Sequence, residues 1–507
     1  VRVFEAGTDK PTFCRVNVVG PDGNFYQPRE NHLAQFSLNG PWPREGSGNR
    51  LGKAPIRYFG HFFYTDGAPE VEVPPGEVRI EAFKGFEYHP VSLTTNVRAG
   101  EVAAVRLVLE RAIDMPSQGY YSGDPHLHFP RGGDVDDQRI FDLLAAEDIH
   151  FGVVMCYNKT DSYSGHMDRL IMPQLQGLGR RSQRSRGDCT IVSAQEYRSN
   201  VYGHLNLFWR DDLVLAGQSL DPNRWPVFGV IGSETQRLGG YAIHAHGGYA
   251  QEIYADLAQR ATNGVELLQF GIYRGIGLES WYRILNAGFR FSAVGASDYP
   301  ACRKLGDCQT YVWLDDKPTM HDWLAGLAQG RSFVTTGPVI LLEVDGRRPG
   351  QRIDLRGDEP HELHISLKAR CDVTPITNLQ LVVNGKVAKE SSISRAQGQS
   401  TWLTLDESLL LDESCWIAAR AFSYAPSGSP DAESHTNPVY VYLNGKAPYQ
   451  KADVEWLAAR LDEQIAEQQG RHFDQQPWVV QYYRCSRELV DQVRRDGGQA
   501  APADFPE

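Results

Sequence analysis

Two histidines with one residue between them, His126 and His128, stand in the stretch Gly123-Asp124-Pro125-His126-Leu127-His128. On an extended segment both side chains point to the same side, and two imidazoles on one side can bind one metal ion. Asp124 is within reach to orient a ligand imidazole, a support that metal sites usually need. Glu196 ends Val192-Ser193-Ala194-Gln195-Glu196, and His204 stands in Tyr202-Gly203-His204-Leu205-Asn206. A carboxylate after an apolar strand suits a bridge between two metals. His244-Ala245-His246 is a second pair, running into Gly247 and Gly248, which allow close backbone approach. Asp298 follows Gly295-Ala296-Ser297 and would complete a ligand set containing hard oxygen. Taken singly, these features have ordinary readings: surface histidines, a surface salt bridge, a hydrogen-bonded structural histidine. Four such signals at predicted strand ends within one region are much less expected by chance.

Metal ions held there would lower the pKa of a bound water towards about 7, giving a hydroxide that attacks an electrophilic carbonyl or phosphorus. Arg303 and Arg274 each follow a predicted strand closely and are candidates to stabilise the developing charge; structural salt bridges are the other reading. His150 and His166 lie in the same region and are candidate acids or bases. No G-x-S-x-G, Walker loop or G-x-G-x-x-G occurs, so neither a serine-hydrolase elbow nor a nucleotide cofactor is indicated. The eight cysteines are dispersed without a C-x-x-C pair, which signals neither a structural zinc cluster nor a disulfide scaffold. Cys302 and Cys308 could close a short loop or remain free thiols.

The elements that must position these residues follow from periodicity. Residues 1–117 read as all-β: Arg15-Val16-Asn17-Val18 alternates, Pro21-Asp22-Gly23-Asn24 supplies a turn, and Val78 to Ala82 alternates again. With Val102, Val105, Leu107 and Leu109 as a closing strand, a β-sandwich is expected. Over 118–337, helix and strand patterns alternate. Ile140, Leu143 and Leu144 recur at helical spacing before the apolar run Phe151 to Cys156. Tyr241 to Ile243, Val265 to Phe270 and Phe289 to Val294 read as strands, Gln251 to Ala261 and Leu278 to Leu285 as helices. That order predicts a parallel α/β domain, a barrel being one form, with ligands outside the carboxyl ends of the strands. Over 338–450 the β pattern returns as a second expected sandwich. Leu363, Ile365, Leu367 and Ala369 alternate there, and Asn384-Gly385 marks a hairpin. Residues 451–507 form a helical tail, with Val454, Leu457, Ala458 and Leu461 on one face, packing on the body or on a second subunit in a homo-oligomer.

Composition narrows the function classes. At 507 residues the chain exceeds one ordinary domain, since domains commonly run about 100–200 residues. The net charge is 51 − 63 = −12 with no long basic run, which argues against a nucleic-acid partner. The short stretch Arg180, Arg181, Arg184, Arg186 reads as a solvated loop. No apolar stretch of about 18 residues predicts a membrane span. A start at Val1 fits a processed N-terminus, and a removed signal peptide makes a periplasmic or secreted location the expectation.

In ordered motifs the chain resembles the polymerase and histidinol phosphatase (PHP) superfamily, nearest its carbaryl-hydrolase-like branch of CehA/McbA-type metallohydrolases. The residues that carry this are Tyr121 to His128, Gln195-Glu196, Gly203-His204-Leu205-Asn206, His246-Gly247-Gly248 and Gly295 to Pro300, over roughly residues 118 to 337. Gly330-Arg331-Ser332-Phe333 and Thr336-Gly337-Pro338 resemble that branch's passage into its second sandwich. The resemblance implies a distorted (β/α)7-type barrel flanked by two β-sandwiches. His126, His128, Glu196 and Asp298 would hold one metal, and Glu196 would bridge to a second held with His204 and His246, with His244 as an alternative ligand. The superfamily's last motif often reads Asp-x-His, whereas Tyr299 and Pro300 follow Asp298 here. The segment Phe129 to Asp134 offers Asp134 as an oxygen ligand but no further histidine, so two ions are expected rather than three.

These readings lead to a metal-dependent hydrolase using a metal-bound hydroxide, with zinc, manganese or iron suited to mixed imidazole and carboxylate ligands. The expected substrate is a carboxyl or carbamate ester of a small molecule. Phosphoesterase activity, a metal-dependent lyase or a glycoside-cleaving enzyme are the alternatives. A carbohydrate or surface-binding protein with a degenerate barrel is the alternative of another class.

Overall fold

The computed structural model describes residues 1–38, 61–158, 170–171, 174–214, 221–248, 252–302, 304–315, 318–424 and 430–497. Arg303 and His166, two of the candidates above, lie outside them, as does Gln251. The chain mixes helices and strands, in keeping with several α/β and all-β parts.

In the middle of the chain, strand β1 (Tyr120–Leu127) pairs in parallel with β2 (Phe151–Asn158), and β2 with β3 (Cys189–Ser199). β3 turns back into β4 (Gly203–Phe208), and β4 pairs antiparallel with β5 (Tyr241–His244). Parallel pairing resumes with β6 (Gly264–Gln269) and β7 (Ser292–Ala296), while β8 (Gln309–Trp313) lies antiparallel to β1. The expected strand over Phe289 to Val294 is therefore shifted towards its carboxyl end. The apolar runs of β2, β6 and β7 are buried on both faces, as expected of strands covered on both sides.

Helices connect these strands. α1 (Asp134–Ala146) carries Asp134, Asp136 and Asp137 in its first turn, where the helix dipole favours anions, and buries Ile140, Phe141, Leu143 and Leu144. α2 (Phe228–Arg237), α3 (Ile253–Ala258) and α4 (Gly277–Asn286) precede β5, β6 and β7 in turn, and α5 (Met320–Ala328) follows β8. The strand Ser332–Thr335 pairs with β8 on one side and with Pro430–Thr436 on the other. Hydrogen bonding thus runs without a break from the α/β part into the β-rich part beyond residue 338. There Asn384 and Gly385, both at positive φ, close the expected hairpin between Asn378–Val383 and Lys386–Ser392.

The tail is two helices, α6 (Lys451–Gln469) and α7 (Gln476–Asp496), not one. Val454, Leu457 and Leu461 bury against the same core as Trp281 and Tyr254, and α7 packs on α3. The tail packs on the body. No helix among the described residues is long and apolar enough to cross a membrane. None of the eight cysteines forms a disulfide, Cys302 and Cys308 included.

The N-terminal alternation misleads at one strand. Cys14–Val19 is buried on both faces, with Arg15 0% and Asn17 3% exposed, because α1 covers the side that alternation assigns to solvent. Arg15 Nε lies 2.7 Å from Glu147 Oε1, and Lys304 Nζ lies 3.1 Å from Glu147 Oε2. Tyr64 donates to the same carboxylate at 2.8 Å. In the closing strand, Leu107 and Leu109 point inward within Arg106–Arg111, while Val102 is exposed.

His435 joins Pro430–Thr436 to α4: it lies 2.6 Å from Tyr282 Oη and bonds the Thr436 carbonyl through Nδ1. Burial pushes its pKa from 6.5 down to about 3. Because the folded value is the lower one, the stabilisation is complete above pH 6.5 and is lost as pH falls towards 3. His435 is expected to add a slope of about 1.4 kcal/mol per pH unit across that window. Urea denaturation at several pH values, with His435→Gln flattening the slope, checks this; an unchanged slope would refute it.

Candidate metal centre

β1 carries His126 and ends just before His128, and the extended backbone there puts both on one side. His126 Nδ1 bonds Glu266 Oε1 at 2.8 Å, and His128 Nδ1 bonds the Met155 carbonyl at 3.2 Å. With both Nδ1 atoms engaged, both Nε2 atoms turn inward and lie 3.0 Å apart. Glu196 Oε2 is 3.5 Å from the first and 3.3 Å from the second. Asp298 Oδ1, brought from beyond β7, is likewise 3.5 and 3.3 Å away. Corners of a tetrahedron with metal–ligand bonds of about 2.0–2.1 Å lie about 3.3–3.4 Å apart. These donor atoms therefore have the spacing of ligands around one ion.

Glu196 faces both ways. Its Oε1 is 2.6 Å from His204 Nδ1 and 3.1 Å from His246 Nε2, and those nitrogens are 3.0 Å apart. The pairing of Glu196 with Asn206, and of Arg198 with His204, sets this arrangement within the β3–β4 hairpin. His246 and Asp298 have φ of 54°, a left-handed conformation that is uncommon away from glycine. Such strain is often stored at functional sites. Gly247, also at positive φ, is needed because a Cβ there would meet the Arg274 carbonyl at 2.2 Å.

The donor set wants a cation. Burial would raise the Glu196 carboxyl, but Arg198, His204 and His126 hold it well below its usual range. Burial would lower His126, yet Glu266, Asp298 and Glu196 drive it well above its usual value. His204 is pushed down by burial to about 4. His126, His128 and Asp298, and likewise His126, Glu196 and His246, are buried groups whose donor atoms lie close enough together to hold a metal ion.

The structure brings His126, His128, Glu196, His204, His246 and Asp298 together and leaves other candidates apart. Asp124 does not orient an imidazole. It accepts main-chain N–H bonds from His126, Ser297 and Gly306 at 3.3, 3.1 and 2.9 Å, tying β1 to the loop after β7. His244 turns away, its Nε2 lying 3.0 Å from Asp256 Oδ2 on α3, because β5 ends there and the left-handed His246 breaks the alternation. His150 stands at the amino end of β2, opposite the cluster, 2.9 Å from Ser122 Oγ. Arg274 bonds Gln269 Oε1 at 2.7 Å, which bonds His246 Nδ1 at 3.1 Å. Asp134 is exposed on α1, and Tyr299 is buried against Phe129.

Two charged residues escaped the sequence reading. Glu266, within the apolar run of β6, is fully buried and bonds both His126 and Asn206. A lone acid in a buried strand was the signal. Partners of this kind typically affect metal affinity by about 10–100-fold. Glu266→Ala is expected to weaken metal binding by about that factor, read by chelator competition; unchanged affinity would remove its role. The other is Arg198, whose guanidinium bonds Glu196 Oε2 at 2.5 Å and lies over the Tyr157 ring.

No protein-family model matches the chain, and no curated protein does. One solved structure, PsfC from Pseudomonas syringae PB-5123, superimposes with a TM-score of 0.30 and 16% identity, over 42% of this chain and 90% of that one. That likeness is too slight to carry an argument.

Proposed function

We propose that this chain is a metal-dependent hydrolase of the PHP type, acting on a carboxyl or carbamate ester of a small molecule. In this reading the middle strands form the distorted barrel of that superfamily, between two β-sandwiches. The observation that carries it is Glu196, whose two oxygens face two separate sets of histidine nitrogens. His126, His128, Glu196 and Asp298 would hold one divalent ion, and Glu196, His204 and His246 a second. Ions at these positions supply Lewis acidity and a water acidified towards a pKa of about 7. The chain's own residues orient and exclude. Glu266, Met155 and Gln269 fix which nitrogen His126, His128 and His246 present. Burial of His126 and Glu196 keeps bulk water from the floor of the site, which strengthens its electrostatics.

The test is elemental analysis of protein never exposed to chelator, with a panel of esters, carbamates and phosphate monoesters. Two ions per chain and ester or carbamate turnover above phosphate turnover are expected. The net acidic chain offers no global attraction to a dianion. Less than one ion per chain, or phosphatase turnover well above esterase turnover, would overturn the reading.

A further inference from the structure

We propose that Arg198 forms a subsite for a carboxylate carried by the substrate beside the bond that is cleaved. The inference deepens the hydrolase reading and rests on it. Arg198 is placed by its backbone: Asn158 donates to the Arg198 carbonyl at 2.8 Å and accepts from the Arg198 N–H at 2.7 Å. Its guanidinium lies 3.4 Å from the centre of the Tyr157 ring, which fixes the plane of the fork. The same ring packs edge-on against His128 with centroids 5.0 Å apart, so the stacked pair forms a wall of the metal cage. The side chain is 20% exposed while Glu196 beneath it is fully buried. Arg198 thus stands between the ligands and solvent.

Charge balance says what it is for. Glu196, Asp298, Glu266 and Asp124 are the buried carboxylates around the cage. Ions held by these carboxylates would draw Glu196, the carboxylate that Arg198 pairs with, towards themselves. Glu196 Oε2 would then be shared between an ion and the guanidinium. Nε and Nη2 of Arg198 bond Glu196 Oε2, Nη2 also lies 3.4 Å from His128 Nε2, and Nη1 makes no hydrogen bond among the described residues. A planar fork whose counter-ion is drawn towards metal is matched by another planar anion, and arginine pairs with carboxylates through two parallel bonds. A neutral substrate would leave that positive charge unpaired in a partly buried place, which is costly.

The test uses metal-loaded protein, with succinate as the binding probe and phenyl acetate and monophenyl succinate as esters. Calorimetry should show succinate binding to the parent protein and about tenfold or more weaker binding to Arg198→Gln, with part recovered in Arg198→Lys. Metal content should stay at the parent value. The turnover ratio of monophenyl succinate to phenyl acetate should fall by a similar factor in Arg198→Gln. No succinate binding to the parent protein, or equal binding to both forms, overturns the subsite. Metal loss in Arg198→Gln also overturns it, since the residue then serves the cage. Should neither ester be cleaved, the hydrolase reading falls, while the succinate arm still decides on Arg198.

Discussion

Glu196→Gln is expected to cut the metal content to half or less and to lower turnover by about a thousandfold. An amide keeps one oxygen, so one set of histidines keeps its oxygen ligand and the other receives an NH2 group that cannot ligate. Which set loses depends on the rotamer, but both cannot be served. The substitution also removes the counter-charge of Arg198, which reaches no other carboxylate among the described residues. Glu196→Asp makes a sharper comparison, because it keeps the charge and shortens the reach. If the two-sided geometry matters, Asp should fail nearly as badly as Gln. Elemental analysis and turnover on the best substrate give the result, with melting curves to show that both variants fold. Full metal content in Glu196→Gln would sink the bridging role.

Glu147→Ala is the largest expected loss of stability, about 3–5 kcal/mol. Arg15 and Lys304 are 0% and 1% exposed, and Glu147 is the carboxylate that both approach. Removing it takes from two buried cations the carboxylate they share, and from Tyr64 its acceptor. A domain commonly has about 5–15 kcal/mol in all, so much of the margin would go. Urea denaturation gives the number, and a loss under about 1 kcal/mol would refute the account. The same cluster ties the N-terminal strands to the loop after β7. Replacing Arg15, Glu147 and Lys304 together by apolar residues should cost far less than Glu147→Ala alone, because no charge is then stranded.

The candidate metal ligands are legible in the sequence where extended backbone holds. His126 lies on β1 and His128 directly after its end, so a period of two puts them side by side. The second pair looked equivalent and was not. His246 lies beyond the end of β5 in a left-handed conformation, and pairing by period has no meaning there. The resemblance had already favoured His246 over His244 on motif alone. Asp124 was misjudged for a different reason. Proximity in sequence suggested an imidazole partner, but the carboxylate found main-chain N–H groups from distant loops first. The true orienting acid, Glu266, lies 140 residues from His126 and only tertiary structure could join them. Arg15 shows the same limit in the fold. An alternating strand reads as half exposed unless a helix from another part covers it, and nothing local announces that helix.

The β3–β4 hairpin that carries Glu196, Arg198 and His204 is held from outside by the connection between α6 and α7. Arg471 donates to Tyr202 Oη at 3.0 Å and to the Asn223 carbonyl, and Asn223 in turn holds Ser199 and Asn200. This bears on synthesis. A chain leaves the ribosome N-terminus first, at about 5–20 residues per second. All six candidate ligands have been made by residue 298, but this brace comes at 471. Between those moments the nascent chain holds them all, with Glu196 and His204 on a hairpin that lacks its outer tie. An ion captured during that interval would meet ligands whose spacing lacks that support.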